Sequence, residues 1–355
     1  MSDLEALARD CPRALSGWGR ATLQEEAAAL ADEAARGGEL DRYGEGGVVE
    51  EVEQALCALL GLEAAVLFPT GTQAQQVALR HWCTRSPRVA LHRTAHPLLH
   101  EDDALTVVQG LLPVDVGERL SLGAVRAAHD RAPLGAVLLE LPHRETGGDL
   151  LPFDEVAALS AWCRAEGVAL HLDGARLLEC GPAYAPRTVV EVAALADSVY
   201  LSLYKGLGAP GGAALLGPAP LADDARLWRH RLGGTMVRLW PVALGARRGL
   251  REALPRVPVW HAHAVALAAA LEAAGVELVR RPTVPLLRVV LPAAPDEAAE
   301  AVAAVARERG VWPGRPFAGP RPSTSLVEVT VQERSLEVPP EEGAAVLADV
   351  VARLA

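Results

Sequence analysis

Lysine occurs once in the 355 residues, at position 205, against thirty-three arginines, and asparagine and isoleucine do not occur at all. Such a composition points to coding drift away from AT-rich codons. Under that drift arginine takes over wherever only a positive charge is needed, because guanidinium serves ion pairs and phosphates at least as well as ammonium. It cannot replace an amine nucleophile. Lys205 stands in SLYKGLGAPGGAALLG (202–217), where an apolar run gives way to a Gly-rich turn. An amine there can form a Schiff base, and the small residues leave room for a cofactor ring. The competing reading, a solvated surface lysine, is disfavoured by the apolar flanks.

Three further segments combine residue types that do chemistry. In LHLDGARLLECG (170–181), Asp173 ends an apolar run and Arg176 follows three residues later. A buried carboxylate is costly unless paired, and a pyridinium nitrogen is one partner that keeps it charged; an ordinary capping Asp with an Arg mate is the other reading. In FPTGTQAQQVAL (68–79) a strand pattern ends at a Gly-containing turn and a helix begins. Its free N–H groups, with Gly71 allowing close approach and the hydroxyls of Thr70 and Thr72 adding donors, make a phosphate cradle. Taken alone, the segment also suits an ordinary helix cap. LHRTAHPLLHED (91–102) holds His92, His96 and His100 with Glu101 and Asp102 behind them. Spacing of four suits metal ligation on a helix, but Pro97 interrupts such a helix and no further ligand set is evident, so no metal is expected. One of these rings is expected flat beside a cofactor, and the other two as polar or core histidines.

These residues need a scaffold that brings strand ends together. Apolar runs of four to eight residues alternate with helical patterns through the first two thirds, the signature of βαβ units and a mostly parallel, doubly wound sheet. The expected strands are 64–69, 88–92, 136–142, 168–174, 198–205 and 211–217, with helices at 47–61, 72–83, 152–167 and 189–197. An Ala-rich helical stretch near 241–275, strands at 286–292 and 325–332, and helices near 295–309 and 340–354 read as a smaller α/β domain. The division expected is 1–240 for the large domain and 241–355 for the small one. In open α/β sheets ligands sit beyond the carboxyl ends of the strands, where Asp173, Lys205 and the 70–72 turn fall.

Half the residues are apolar and 22% are charged, enough for a large core and too polar for a membrane protein. The formal net charge of −11, with no Lys/Arg cluster, argues against a nucleic-acid partner. MSDLEALARDCPRAL has neither the basic region nor the apolar stretch of a secretory signal, so a cytoplasmic location is expected. Five scattered cysteines without a C-x-x-C read as reduced, mostly buried small hydrophobes. An NAD enzyme is disfavoured because no G-x-G-x-x-G follows the first strand.

The four segments, in this order, resemble the β-eliminating lyase and low-specificity L-threonine aldolase family of fold-type-I pyridoxal 5′-phosphate (PLP) enzymes. The likeness begins at RYGEGGVVEEVEQALCALLGLEAAVLFPTGTQAQQVAL (42–79) and runs through HLDGARL to YKGLGAPGG, about two thirds of the chain. It implies an aspartate aminotransferase-like large domain with a smaller C-terminal α/β domain. It makes Lys205 the lysine that carries PLP, Asp173 the partner of the pyridine nitrogen, His96 the ring-stacking histidine, and Thr70, Gly71 and Thr72 the phosphate turn. Arg176 is then the arginine that reaches substrate or cofactor oxygens, while Glu140 and His143 fall where the family has an acid and a histidine near the cofactor. A homodimer or homotetramer is implied, with RHRLGGTMVR (229–238) near the site.

The departures from the family concern substrate. Where the family carries R-x-V-T-H near the C-terminus, its Arg gripping the substrate carboxylate, this chain has SLVEVTVQ, with Ser325 and Val329 in those places. Arg315 or Arg321 in the preceding loop is a candidate replacement. SGWGRATLQEE (16–26) matches the family's opening pattern poorly, and the family's Asn after Glu140 is Leu141. The resemblance implies an aldolase that cleaves a β-hydroxy-α-amino acid to glycine and an aldehyde. The alternatives are a β-eliminating lyase or racemase using the same cofactor, and a non-catalytic protein of the same fold.

Overall fold

The computed structural model describes residues 3–17, 21–319 and 321–354. The apolar runs of the first two thirds become strands: β1 (Ala64–Phe68), β2 (Arg88–Leu91), β3 (Leu112–Asp115), β4 (Ala136–Glu140), β5 (Ala169–Asp173), β6 (Ser198–Ser202) and β7 (Ala213–Gly217). They form one sheet in the order β1-β7-β6-β5-β4-β2-β3. The five neighbours from β6 to β3 run parallel, while β7 runs antiparallel to both β1 and β6. Every residue of β4, β5, β6 and β7 is buried, as expected of central strands covered on both faces, which read as unbroken apolar runs rather than as alternation.

Helices between the strands cover the sheet: α1 (Leu23–Ala34), α2 (Gly47–Leu60), α3 (Gly71–Trp82), α4 (Leu122–Arg131), α5 (Phe153–Glu166), α6 (Ala219–Arg231) and α7 (Trp240–Glu252). On one face, Ala74, Val77 and Ala78 of α3 and Leu221, Ala222 and Ala225 of α6 form a core with Val66, Phe68, Tyr200 and Leu215 of the strands. Burying Val, Leu or Phe side chains contributes about 1.5–3 kcal/mol each. Both α2 and α5 end where a left-handed glycine, Gly61 and Gly167, caps the last turn.

The chain divides into two compact units: residues 23–145 with 150–254, which hold this sheet, and residues 1–22, 146–149 and 255–355. This division puts the change near residue 254 rather than 240 and adds the N-terminal residues to the smaller unit. The 241–275 stretch is accordingly two helices, α7 and α8 (Val257–Ala273), separated by a 3₁₀ turn at Leu254–Arg256 where Pro255 removes a helical N–H. The smaller unit also has β8 (Leu286–Leu291), α9 (Pro295–Arg309), β9 (Pro316–Ala318), β10 (Ser325–Thr330) and α10 (Pro340–Ala352). Its three strands are antiparallel in the order β9-β10-β8, and Arg13–Ala14 pairs with Val311–Trp312. Of SGWGRATLQEE, residues 18–20 lie outside the described residues. None of the five cysteines forms a disulfide, and four are buried.

Candidate active site

Strand register assembles the site. Glu140 on β4 stands opposite Asp173 on β5, and Asp173 opposite Tyr200 on β6, so three functional side chains form one row at the carboxyl ends of adjacent parallel strands. Lys205 follows three residues after the end of β6. These four residues line one cavity with Gln75, His96, Glu101, Arg144 and Arg176. The sequence-derived group Lys205, Asp173, His96 and Arg176 is thus brought together, although their positions span more than a hundred residues.

The cavity is crowded with charge. Burial pushes the Asp173 carboxyl up from its ordinary range, while Lys205, His96, the Ala175 N–H and the Gln75 amide pull it back. Ala175 N donates to Asp173 Oδ1 at 3.1 Å, and Gln75 Nε2 donates to Oδ2. Glu140 is pushed up to about 8, first by burial and then by the neighbouring Asp173, even though the backbone N–H groups of His96 (3.2 Å) and Arg144 (3.4 Å) donate to it. The Lys205 amine is lowered, first by burial and then by the Arg176 guanidinium, which keeps more of it neutral and nucleophilic. Arg176 is itself buried and grips Glu179 with one nitrogen at 3.0 and 3.2 Å; its Nε is buried without a hydrogen-bond partner among the described residues.

The three histidines of 91–102 have separate fates. His96 opens the short helix His96–Leu99 and lines the cavity, its Nδ1 3.4 Å from Glu101 Oε1. His92 is buried, and its Nδ1 accepts from Thr94 N at 3.1 Å. His100 reaches out to Glu145 at 3.1 Å. His143 packs against His92 with ring planes tilted by 51° and centroids 4.2 Å apart, its Nδ1 3.4 Å from Glu140. Among the described residues no group of three or more His, Cys, Asp or Glu is arranged to hold a metal ion.

The turn at 70–72 starts α3. Thr70 is its N-cap, accepting from Gln73 N at 3.3 Å, so the ordinary capping role is present, and its hydroxyl hydrogen remains available to donate. Gly71 is required by contact: a Cβ there would lie 2.1 Å from Tyr200 Oη. The residues fit PLP chemically. The row offers a buried carboxylate for a pyridinium nitrogen, and α3 offers a helix N-terminus for a phosphate. Ser202, three residues before Lys205, has a buried hydroxyl that faces Tyr200. It and Phe68 both pair with Ala213, so it flanks the sheet end from which the 69–71 turn leaves.

Arg321 and Arg315 belong to the smaller unit. Arg321 lies 3.5 Å from Glu277 and Arg315 3.3 Å from Glu5. Ser325 and Val329 on β10 are both wholly buried, and no guanidinium stands on that strand. Sequence reading passed over Gln75, Arg144 and Tyr200 as site residues. Arg144 and Tyr200 each had a signal, one residue after His143 and two residues into a strand that ends at the lysine segment.

Residues 22–293 match the family described as beta-eliminating lyase. Low specificity L-threonine aldolase of Escherichia coli (strain K12) is 29% identical over 249 residues, 68% of this chain and 74% of that one. A crystal structure of a putative L-allo-threonine aldolase from Listeria monocytogenes EGD-E superposes with a TM-score of 0.89 at 33% identity, covering 99% of this chain and 98% of that one. A putative aromatic amino acid beta-eliminating lyase/threonine aldolase from Exiguobacterium sp. 255-15 gives 0.88 at 31%, covering 99% and 100%. The chain belongs to the β-eliminating lyase family, with the fold-type-I architecture and the PLP-dependent lyase chemistry of that family.

Proposed function

We propose that the protein cleaves a threonine-like β-hydroxy-α-amino acid to glycine and an aldehyde, with PLP held on Lys205. The observation that carries this reading is the single cavity lined by Lys205, Asp173, His96 and Arg176. PLP, when bound, supplies a sink for the electron pair left on Cα when the Cα–Cβ bond breaks. The chain's own residues do the rest. Lys205 attaches the cofactor, its amine made available by burial and by Arg176. Asp173 holds a proton at the ring nitrogen, which makes the ring the stronger sink. His96 would stack on the cofactor, and His96 or His143 would take the β-hydroxyl proton, with Glu101 3.4 Å from His96 Nδ1. Thr70, Gly71 and Thr72 receive the phosphate. Arg176 and His143 would contact the substrate. The exposed Leu40, Tyr43, Met236 and Val237 support assembly as a homodimer or homotetramer, and five cysteines without a disulfide support a reducing, cytoplasmic setting.

The test is product analysis with threonine, allo-threonine and phenylserine in both stereochemical series, beside pyruvate release from serine and cysteine. Glycine with aldehyde is expected, and borohydride reduction should fix the pyridoxyl group on Lys205. Pyruvate without glycine would assign β-elimination, and Cα–H exchange with neither product would assign racemisation.

A further inference from the structure

Behind Asp173 a line of buried polar groups runs away from the cavity. Gln75 Nε2 donates to Asp173 Oδ2, and Gln75 Oε1 lies 3.0 Å from His171 Nε2. His171 Nδ1 lies 2.7 Å from Ser198 Oγ, and Trp82 Nε1 donates to that oxygen at 2.8 Å. Gln75, His171 and Ser198 are at most 1% exposed. None of these four residues enters the roles assigned above, although Gln75 lines the cavity.

The donor inventory gives the line a sense. An ionised carboxylate only accepts, so Gln75 must turn its amide nitrogen to Asp173 and its oxygen to His171. That oxygen only accepts, so His171 Nε2 carries a hydrogen. Complete burial drives the His171 pKa down to about 3, so the ring is neutral and Nδ1 is an acceptor. Ser198 then donates to Nδ1 and receives from Trp82, an indole N–H that can only donate. With a donor-only group at one end and an acceptor-only group at the other, this arrangement satisfies every member. Protonating Asp173 removes that constraint and lets Gln75 and His171 reverse.

We propose that Gln75 is a positioning residue and that, with His171, Ser198 and Trp82, it forms a hydrogen-bond chain of fixed sense that keeps Asp173 ionised and aimed at the cofactor's ring nitrogen. The proposal rests on the reading of Asp173 as the partner of that nitrogen. The other charged groups felt at Asp173 are Lys205 and His96 and the adjacent Glu140; the chain adds a neutral donor on Oδ2.

The experiment is ¹⁵N NMR on holoenzyme carrying labelled histidine and PLP labelled at the ring nitrogen, across pH 6–9. His171 is assigned by its loss in His171→Gln. In wild type His171 should be the neutral Nε2–H form and the ring nitrogen protonated. Gln75→Leu removes a hydrogen bond to a charged group, so PLP binding should weaken about tenfold or more, kcat should fall with little change in KM, and the ring nitrogen should lose its proton at lower pH. Ser198→Ala tests the chain three bonds away without altering Gln75. It should convert part of His171 to the Nδ1–H form and lower the ring-nitrogen titration in the same direction, a readout that holds if Gln75→Leu fails to fold. A wild-type His171 in the Nδ1–H form overturns the proposal. So does an unchanged ring nitrogen in Ser198→Ala while Asp173→Asn shifts it. If Asp173→Asn itself leaves the ring nitrogen protonated as before, the reading of Asp173 fails and the proposal falls with it.

Discussion

Glu140→Gln in the cofactor-free protein isolates the cost of the second carboxylate in the row. Burial and Asp173 push the Glu140 carboxyl from its ordinary 4.5 to about 8. Between those two values the unfolded chain has released this proton and the folded chain still holds it, so stability must fall as pH rises through the window and level off above about 8. At about 1.4 kcal/mol for each tenfold change in proton affinity, the effect is bounded at about 5 kcal/mol. Asp173 competes for the same cation, Lys205, and whichever carboxyl ionises first raises the other, so the pair shares the bound. A share of about 2 kcal/mol corresponds to roughly 3 °C in melting temperature for a chain of this size. Glutamine loses one acceptor for the His96 and Arg144 N–H groups, a pH-independent penalty of about 1 kcal/mol. The informative quantity is therefore the difference between variant and wild type, measured at pH 5.5 and at pH 8.5. It should move in favour of the variant by about 2 kcal/mol. A difference that stays constant with pH would mean that Glu140 is ionised throughout, with Lys205 outweighing burial, and the argument would be wrong.

Two further outcomes can be measured. Gly71→Ala places a methyl 2.1 Å from Tyr200 Oη, an overpacking that costs about 1–3 kcal/mol; thermal melts should show the loss, PLP titration a weaker cofactor, and Tyr200→Phe a partial rescue, whereas an unchanged melt would show that the turn yields freely. Arg321→Ala should raise KM about tenfold with kcat nearly unchanged if that guanidinium grips the substrate carboxylate, and an unchanged KM would leave the grip to Arg176.

The strand ends were legible because central parallel strands are apolar throughout and because Asp173 and Lys205 interrupt such runs with groups that burial alone would not favour. β3 was not legible: Pro113 breaks its pattern, and only its place at the sheet edge lets a residue without an N–H stay there. The Ala-rich stretch looked continuous because helix propensity is high on both sides of Pro255, yet the ring clash ends α7. Gln75 and His171 are 96 residues apart. Their meeting depends on how α3 lies on the sheet and on the pairing of His171 with Ser198, neither of which leaves a mark in local periodicity. The even spacing of His92, His96 and His100 would suit one face of a helix, but the turn at Thr94 and Pro97 sends the rings to three different environments, one at the cavity and two elsewhere.

The placement of the one lysine inside the cavity leaves every other positive side chain as a guanidinium. Aldehydes condense readily with amines and far more slowly with guanidinium groups. In the proposed reaction one aldehyde is held as cofactor and another is released as product, and the chain offers a single lysine amine on which either can settle. Loading can be counted at one cofactor per chain directly from absorbance. Product accumulating around a working enzyme would find no lysine amine outside the cavity to decorate, so the same composition limits adducts on the rest of the molecule.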